Sequence, residues 1–417
     1  MSGKMWHKRL ATCLEEEGFF PCKAEPDIWM RPSTDGSTYE YVGVYIDDLG
    51  MVMQNPKEFI DKLTNDYKFK LKSTGPIEFH LGYGVLCMHP RKYIDRMVDA
   101  YVRMFGKKPS TSVLSPLEKG DHPECDTLEL LGPEDMTCFQ SLIGQMQWAV
   151  TLGRLDIATA VMTMSTFRAA PRKGHLDRAK RICGYLLKMQ DACIRFCGGL
   201  PNYSDMTAPV FDWAESVYSP PVMELPRDAP APCGKPVILT HYVDANLLYH
   251  CMLTGGSVTR IIHTMINGTP IDAYTKKQST VETATYGSEF VAARTCVEQI
   301  MDLRLTLSYL GVPIHGRSWM FGDNESFVNS SSRPEAKLHK RHVALSFHHV
   351  REAIAANLVS FIHIEGASNP ADIVSKHWDY QQVKDLLQTL LFTREYSLDL
   401  HPIWGLTEVY RERDSIL

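Results

Sequence analysis

No apolar run in the 417-residue chain approaches the roughly 18 residues that a membrane-spanning helix needs. The start, Met1-Ser-Gly-Lys-Met-Trp-His-Lys8, lacks the apolar core of a secretory signal. The 11 cysteines form no CxxC pair, and an odd number cannot close a full disulfide framework. These absences argue against a cysteine-bound zinc module, a disulfide scaffold and a membrane protein, and they fit a reduced intracellular compartment. The chain also lacks a basic surplus: 44 Lys and Arg stand against 49 Asp and Glu, for a net charge of −5. A nucleic-acid role must therefore rest on local basic faces, not on overall charge. What remains is an ordinary globular composition, 44% hydrophobic and 22% charged, long enough for two or three domains.

The most informative stretch is Tyr45-Ile46-Asp47-Asp48. β-branched and aromatic residues from Tyr39 run up to two adjacent carboxylates, and a second apolar run follows to Met53. The pattern predicts a hairpin with both acids at its tip. Side-by-side carboxylates repel each other unless a cation neutralises them, and Mg²⁺ favours such sites. One reading is a metal site for nucleotidyl transfer, with Asp47 and Asp48 as ligands. The other is a solvated Asp-Asp turn.

Around this hairpin the spacing predicts a helix over 5–20, a strand at Ile28-Trp29-Met30 and a helix opened by Asn55-Pro56-Lys57-Glu58. Phe69 to Lys72 alternates like a strand, and another apolar segment runs from Ile77 to Met88. Residues 91–190 read mostly helical. Arg168, Arg172, Lys173, His175, Arg178, Lys180 and Arg181 cluster near the end of that region. Such a face either follows a phosphate backbone or is simply solvated. Residues 198–236, with eight prolines and Gly198-Gly199, read as a linker. A second unit follows in the order βββαβαβα, which suits a mixed sheet with helices packed on it. It has a strand over Val237–Asp244, a hairpin at Asn267-Gly268, a long helix over 286–310 and a helix over 341–356.

Four acids of the second unit stand where elements begin or end. Asp244 is late in the first strand, Glu289 opens the long helix, Asp323 ends a strand and Asp372 starts the last helix. Two divalent ions roughly 4 Å apart require several carboxylates from separate elements. Each acid also has a plainer account, as a cap or as a charge favoured by a helix N-terminus.

Several segments in this order resemble the polymerase polyprotein of copia-type LTR retrotransposons. Tyr45-Ile46-Asp47-Asp48 is similar to the palm motif YVDD, and Gly75-Pro-Ile-Glu-Phe-His-Leu-Gly82 to the GxxxxxLG segment. Ser141-Leu-Ile-Gly144 and Asp156-Ile157 resemble SLIG and RPDI, with Arg154-Leu155 in place of Arg-Pro. Pro171, His175 and Tyr185-Leu186 fit the P…H…YL pattern. Tyr242-Val-Asp-Ala245 resembles the SDAD strand, Lys276-Lys277-Gln278 the KKQ segment, and Ser288-Glu289-Phe290-Val-Ala292 the AEYxA segment. The glutamate that precedes this last motif in the family is Gly287 here. Asp323-Asn324 matches the DN pair, Arg341-His342 and His348 to Glu352 the KHI…HxxRE helix, and Asn369 to Lys376 the NPADIFTK segment.

The resemblance implies an α+β chain: a partial reverse transcriptase palm (1–90), a helical thumb or connection region (91–197), the Pro-rich linker (198–236), an α/β ribonuclease H-like domain with a five-stranded mixed sheet (237–378), and a C-terminal helix and tail (379–417). It implies Asp47 and Asp48 as polymerase metal ligands. Asp244, Glu289, Asp323 and Asp372 become ribonuclease H catalytic residues and metal ligands. The cofactor is Mg²⁺ or Mn²⁺, two ions per active site. Expected partners are RNA–DNA hybrid, RNA template and DNA, in a cytoplasmic particle or the nucleus. Arg172, Lys173, Arg178, Lys340, Arg341, His342 and Arg351 are the candidate nucleic-acid contacts. The family's third polymerase aspartate is missing: upstream of Asp47 there are only Asp27 and Asp35. The expectation is therefore an N-terminally truncated polymerase region without polymerase activity of its own, joined to a complete ribonuclease H. The competing reading is a catalytically inactive remnant that binds nucleic acid.

Overall fold

The computed structural model describes residues 3–46, 48–72, 87–196, 199–203, 206, 211–218, 226–246, 258–279, 282, 284–338, 341–374, 377–378 and 380–391. Residues 73–86, with the GxxxxxLG-like segment and most of the apolar run from Ile77 to Met88, lie outside them, as do the last two residues of the NPADIFTK-like segment, the C-terminal tail from 392, Asp47 and Lys340. The chain divides into two compact units. One comprises Met1–Phe79, Met223–Val237 and Glu298–Gly316; the other comprises His80–Val222, Ile238–Val297 and Arg317–Leu417.

The first unit opens with α1 (Gly3–Glu16), then β1 (Phe20–Pro21), β2 (Ile28–Pro32), β3 (Tyr39–Tyr45), β4 (Asp48–Val52) and α2 (Pro56–Asn65). The four strands form an antiparallel meander in chain order. Alternation along β3 buries Glu40, Val42 and Val44. Leu10 and Leu14 of α1, Phe59 and Leu63 of α2, and Trp29 complete this core. The inward Glu40 is tolerated because Arg31 donates to it at 2.9 Å and the Gln54 amide at 3.0 Å. Phe69 to Lys72, expected as a strand, joins none; Phe69 is a core residue instead.

The second unit begins with β5 (Cys87–Met88), α3 (Arg91–Phe105), α4 (Pro133–Thr151), α5 (Ala158–Ser165), α6 (Lys173–Lys188) and β6 (Ile194–Arg195). It continues with β7 (Thr240–Asn246), β8 (Val258–Ile266), β9 (Thr269–Lys277), α7 (Thr285–Tyr309, of which the part from Glu298 on belongs to the first unit), β10 (Ser318–Gly322), α8 (Glu325–Ser332), α9 (Ala344–Ala355), β11 (Val359–His363) and α10 (Tyr380–Leu390). Five strands form one mixed sheet in the order β11-β10-β7-β8-β9. β7 pairs antiparallel with β8 and parallel with β10, so β7 is central and its end faces the end of β10. Asn267-Gly268 makes the β8–β9 turn, both residues at positive φ.

The helical region 91–197 does not separate from the sheet as an independent domain. Ile143, Ile182 and Tyr185 share a core with Tyr242, Phe321, Ile373 and Trp378. Where the RPDI-like segment departs from its pattern, Arg154 and Asp156 form a buried bidentate pair at 2.6 and 3.0 Å. The expected linker also differs from a free tether. Tyr203 packs on Trp319 and shares a 2.7 Å hydrogen bond with Thr240, and Trp213 and Tyr218 are buried. Its aromatic residues supply apolar area that the proline count conceals.

Candidate active site

The central strand of the larger sheet carries the first carboxylate. Asp244 follows the buried run Thr240 to Val243 on β7, and only 6% of it is exposed. Asp323 stands immediately after β10, the parallel neighbour of β7. Parallel pairing brings the carboxyl ends of both strands to the same edge of the sheet, which places the two acids together. Glu289 comes from α7, one turn into a helix whose buried residues Phe290, Ala293 and Val297 face inward, Phe290 against Phe327 and Phe347.

One oxygen from each of Asp244, Glu289 and Asp323 lies within 4.8 Å of the others. Asp244 and Glu289 are buried, and Asp323 is half-buried. Three carboxylates at this separation repel one another when ionised, which favours a cation placed among them. All donors are hard oxygens from separate elements, the set that suits Mg²⁺ or Mn²⁺ over a thiolate-seeking metal.

Asp372 stands outside this group. It closes a short 3₁₀ turn, Pro370–Asp372, where the sequence suggested the start of an α-helix. Asn369 ties that turn to the sheet: its Nδ2 donates to the Val243 carbonyl at 3.2 Å, and its Oδ1 accepts from the Ala371 amide at 3.0 Å. Asp372 is thus anchored beside the strand that carries Asp244. At the other strand, His363 Nε2 donates to the Asp323 carbonyl at 3.1 Å. His363 was not singled out from the sequence; its position on β11 opposite Gly322 becomes meaningful only through strand pairing.

The hairpin of the first unit takes the predicted form, with Tyr45 paired to Asp48 across the β3–β4 turn. Asp48 is exposed. Ile46, in the turn, has φ +57°, a strained conformation for a β-branched residue. The partner acid, Asp47, falls outside the described residues.

The basic residues fare differently from expectation. Arg351 is corrected outright: it is 2% exposed and cannot meet a nucleic acid. It donates to the carbonyls of Ser330, Arg333 and Pro334 at 2.6–2.8 Å and to the Tyr218 hydroxyl at 3.2 Å. Its guanidinium also lies over Trp213, Tyr218 and Phe347. Arg178 binds Asp121 through two nitrogens and Asp126 through one. Arg172 donates to the Leu128 carbonyl, and Lys173 pairs with Glu129 at 2.5 Å. Arg178 ties α6 to the loop over 121–126, whereas Lys173 and its partner Glu129 stay largely exposed. His342 bonds to Glu282, Arg341 is exposed, and Lys340 is outside the described residues. His175 is likewise structural: Nδ1 accepts from the Arg172 amide and Nε2 donates to the Pro123 carbonyl. Burial lowers its pKa below the ordinary imidazole value.

No family model matches the chain. Its curated relatives include the retrovirus-related Pol polyprotein from transposon TNT 1-94 of Nicotiana tabacum. That relative is 22% identical over 384 residues, covering 89% of this chain and 26% of its own length. The Pol polyprotein from transposon RE1 of Arabidopsis thaliana is also 22% identical, over 89% of this chain and 23% of its own. A putative transposon Ty5-1 protein of Saccharomyces cerevisiae is 26% identical over 202 residues, 47% of this chain and 63% of that protein. The chain thus spans about a quarter of the two Pol polyproteins. Among solved structures, RNase H1 from Halobacterium salinarum matches 31% of this chain and 88% of its own, at 12% identity and a TM-score of 0.25. The foamy viral protease-reverse transcriptase in complex with RNA/DNA hybrid matches 56% of this chain and 48% of its own, at 7% identity and a TM-score of 0.23.

Proposed function

From the premise that this chain is a homologue of copia-type transposon Pol polyproteins, we propose that its second unit hydrolyses the RNA strand of RNA–DNA hybrids at Asp244, Glu289 and Asp323. The observation that carries the reading is the convergence of those three carboxylates within 4.8 Å, from two neighbouring strand ends and one helix. They would hold the divalent ions. When bound, such ions lower the pKa of a water and neutralise charge on the phosphodiester. The chain's own contribution is position. β7 and β10 fix Asp244 and Asp323 through the sheet ladder, and the buried stripe of α7 fixes Glu289. Asp372, on a turn anchored to β7, is a further ligand or a group that orients water at the edge of the site.

The hairpin with Asp48 at its tip belongs, on this reading, to the reverse transcriptase region, with Asp47 as the adjoining ligand. The assay is Mg²⁺-dependent cleavage of end-labelled RNA in a hybrid. The wild-type chain should cleave, and Asp323→Asn should lose at least about 100-fold, because even partners one step removed from a metal cost 10–100-fold. Asp48→Asn should cleave at the wild-type rate. Binding of the hybrid without cleavage by the wild type would establish the inactive-remnant reading instead.

A further inference from the structure

Gly287 stands just before the AEYxA-like segment, where the resembled family has a glutamate, and a side chain there would meet its neighbours. A Cβ at this position would lie 2.1 Å from Glu282 Oε2 and 3.1 Å from Val343 Cγ1. The space is filled by the carboxylate of Glu282, which arrives from the loop before α7. That carboxylate is buried, and His342 Nε2 donates to its Oε2 at 3.0 Å. His342 lies in the 3₁₀ turn Arg341–Val343 that leads into α9. Glu282 therefore lies against the first turn of α7 and joins it to the start of α9.

The same turn is held from a second direction. Gln278, just past β9, donates to the Ser288 carbonyl at 2.9 Å and accepts from the Ser288 hydroxyl at 3.3 Å. Glu289 is the next residue. A negative charge beside a helix N-terminus is favourable, and the first turn has few intrahelical bonds to hold it. We infer that Glu282, latched by His342 in the space left by Gly287, is a positioning residue for Glu289 in metal binding. The inference rests on the nuclease reading for its catalytic consequence, but not for the latch itself.

Gly287→Ala is the diagnostic change. At an unobstructed helical position, alanine favours the helix over glycine; here its methyl displaces the Glu282 carboxylate. The full chain, Glu282→Ala, Gly287→Ala and the double variant should be compared for Mn²⁺ affinity by calorimetry and for hybrid cleavage. Each single variant should weaken Mn²⁺ binding about tenfold, the lower end for groups that orient a metal ligand. kcat should fall with KM for the hybrid unchanged. The double variant should match Glu282→Ala, because no carboxylate remains to be displaced. Hydrogen exchange should accelerate at the amides of 285–289 and stay unchanged over the rest of α7, which separates the effect from global unfolding. Wild-type Mn²⁺ affinity in Gly287→Ala, or losses that multiply in the double variant, would overturn the latch. If the wild type binds no Mn²⁺ at Asp244, Glu289 and Asp323, the nuclease reading fails. Hydrogen exchange then decides the latch alone: unchanged exchange at 285–289 in both single variants refutes it.

Discussion

Asp244, Glu289 and Asp323 are 45 and 34 residues apart in sequence, yet three of their oxygens fall within 4.8 Å. Each acid singly looked like a cap or a helix-end charge; together they make a group of oxygen donors that could hold a cation. Arg351 teaches the opposite lesson. In sequence it joins Arg341 and His348 as part of a basic helix, but its guanidinium serves three backbone carbonyls and a tyrosine inside the unit. Arg351→Ala should therefore cost about 3 kcal/mol or more, since it leaves buried acceptors unpaired and opens a cavity. Urea denaturation of the variant checks this. Destabilisation under about 1 kcal/mol would mean the carbonyls are rehydrated at little cost.

At the scale of elements, α6 shows how a basic stretch can be structural. Arg178 fastens it to the loop over 121–126, and His175 fills the interior beneath it, stacked on Phe167 with ring centroids 4.1 Å apart. The neutral ring is the form that fits, because Nδ1 must accept while Nε2 donates. Burial holds its pKa below about 6.5, the ordinary value. The unfolded chain therefore takes up this proton first as pH falls, and the folded state loses stability from about pH 6.5 downward. The urea midpoint should drop between pH 7.5 and 5.5. In His175→Gln it should start lower and change less over the same range; an equal drop in the variant would assign the pH dependence to other groups.

Over the whole molecule, a metal held by the folded site would couple its binding to folding. If the three acids bind Mg²⁺ only in the folded chain, Mg²⁺ at about 100 times its Kd should stabilise the second unit by about 2.7 kcal/mol. Thermal denaturation with and without Mg²⁺ measures this, and Asp244→Asn should abolish the shift. A stabilisation that survives Asp244→Asn would place the ion elsewhere. The helical region and the sheet share one core, so the shift should extend to the unfolding of α3 to α6 and not stop at the sheet. Among the described residues, no helix is long and apolar enough to cross a membrane.

The amino-acid sequence by itself determined the elements whose periodicity is strong and local: the hairpin with Asp48 at its tip, the Asn267-Gly268 turn, the long α7 and the alternation of β3. It also placed Asp244, Glu289 and Asp323 near element ends, since strand and helix boundaries are set by nearby residues, but not Asp372, which closes a 3₁₀ turn. Tertiary structure alone decided which charges are spent. Arg178 meets Asp121 across 57 positions and Arg351 meets Tyr218 across 133. It decided that Tyr203, Trp213 and Tyr218 pack rather than tether, and that Gly287 makes room for Glu282. Side-chain partnership depends on separation in space, and pairing across a sheet or between helices brings together residues whose sequence neighbours carry no sign of it.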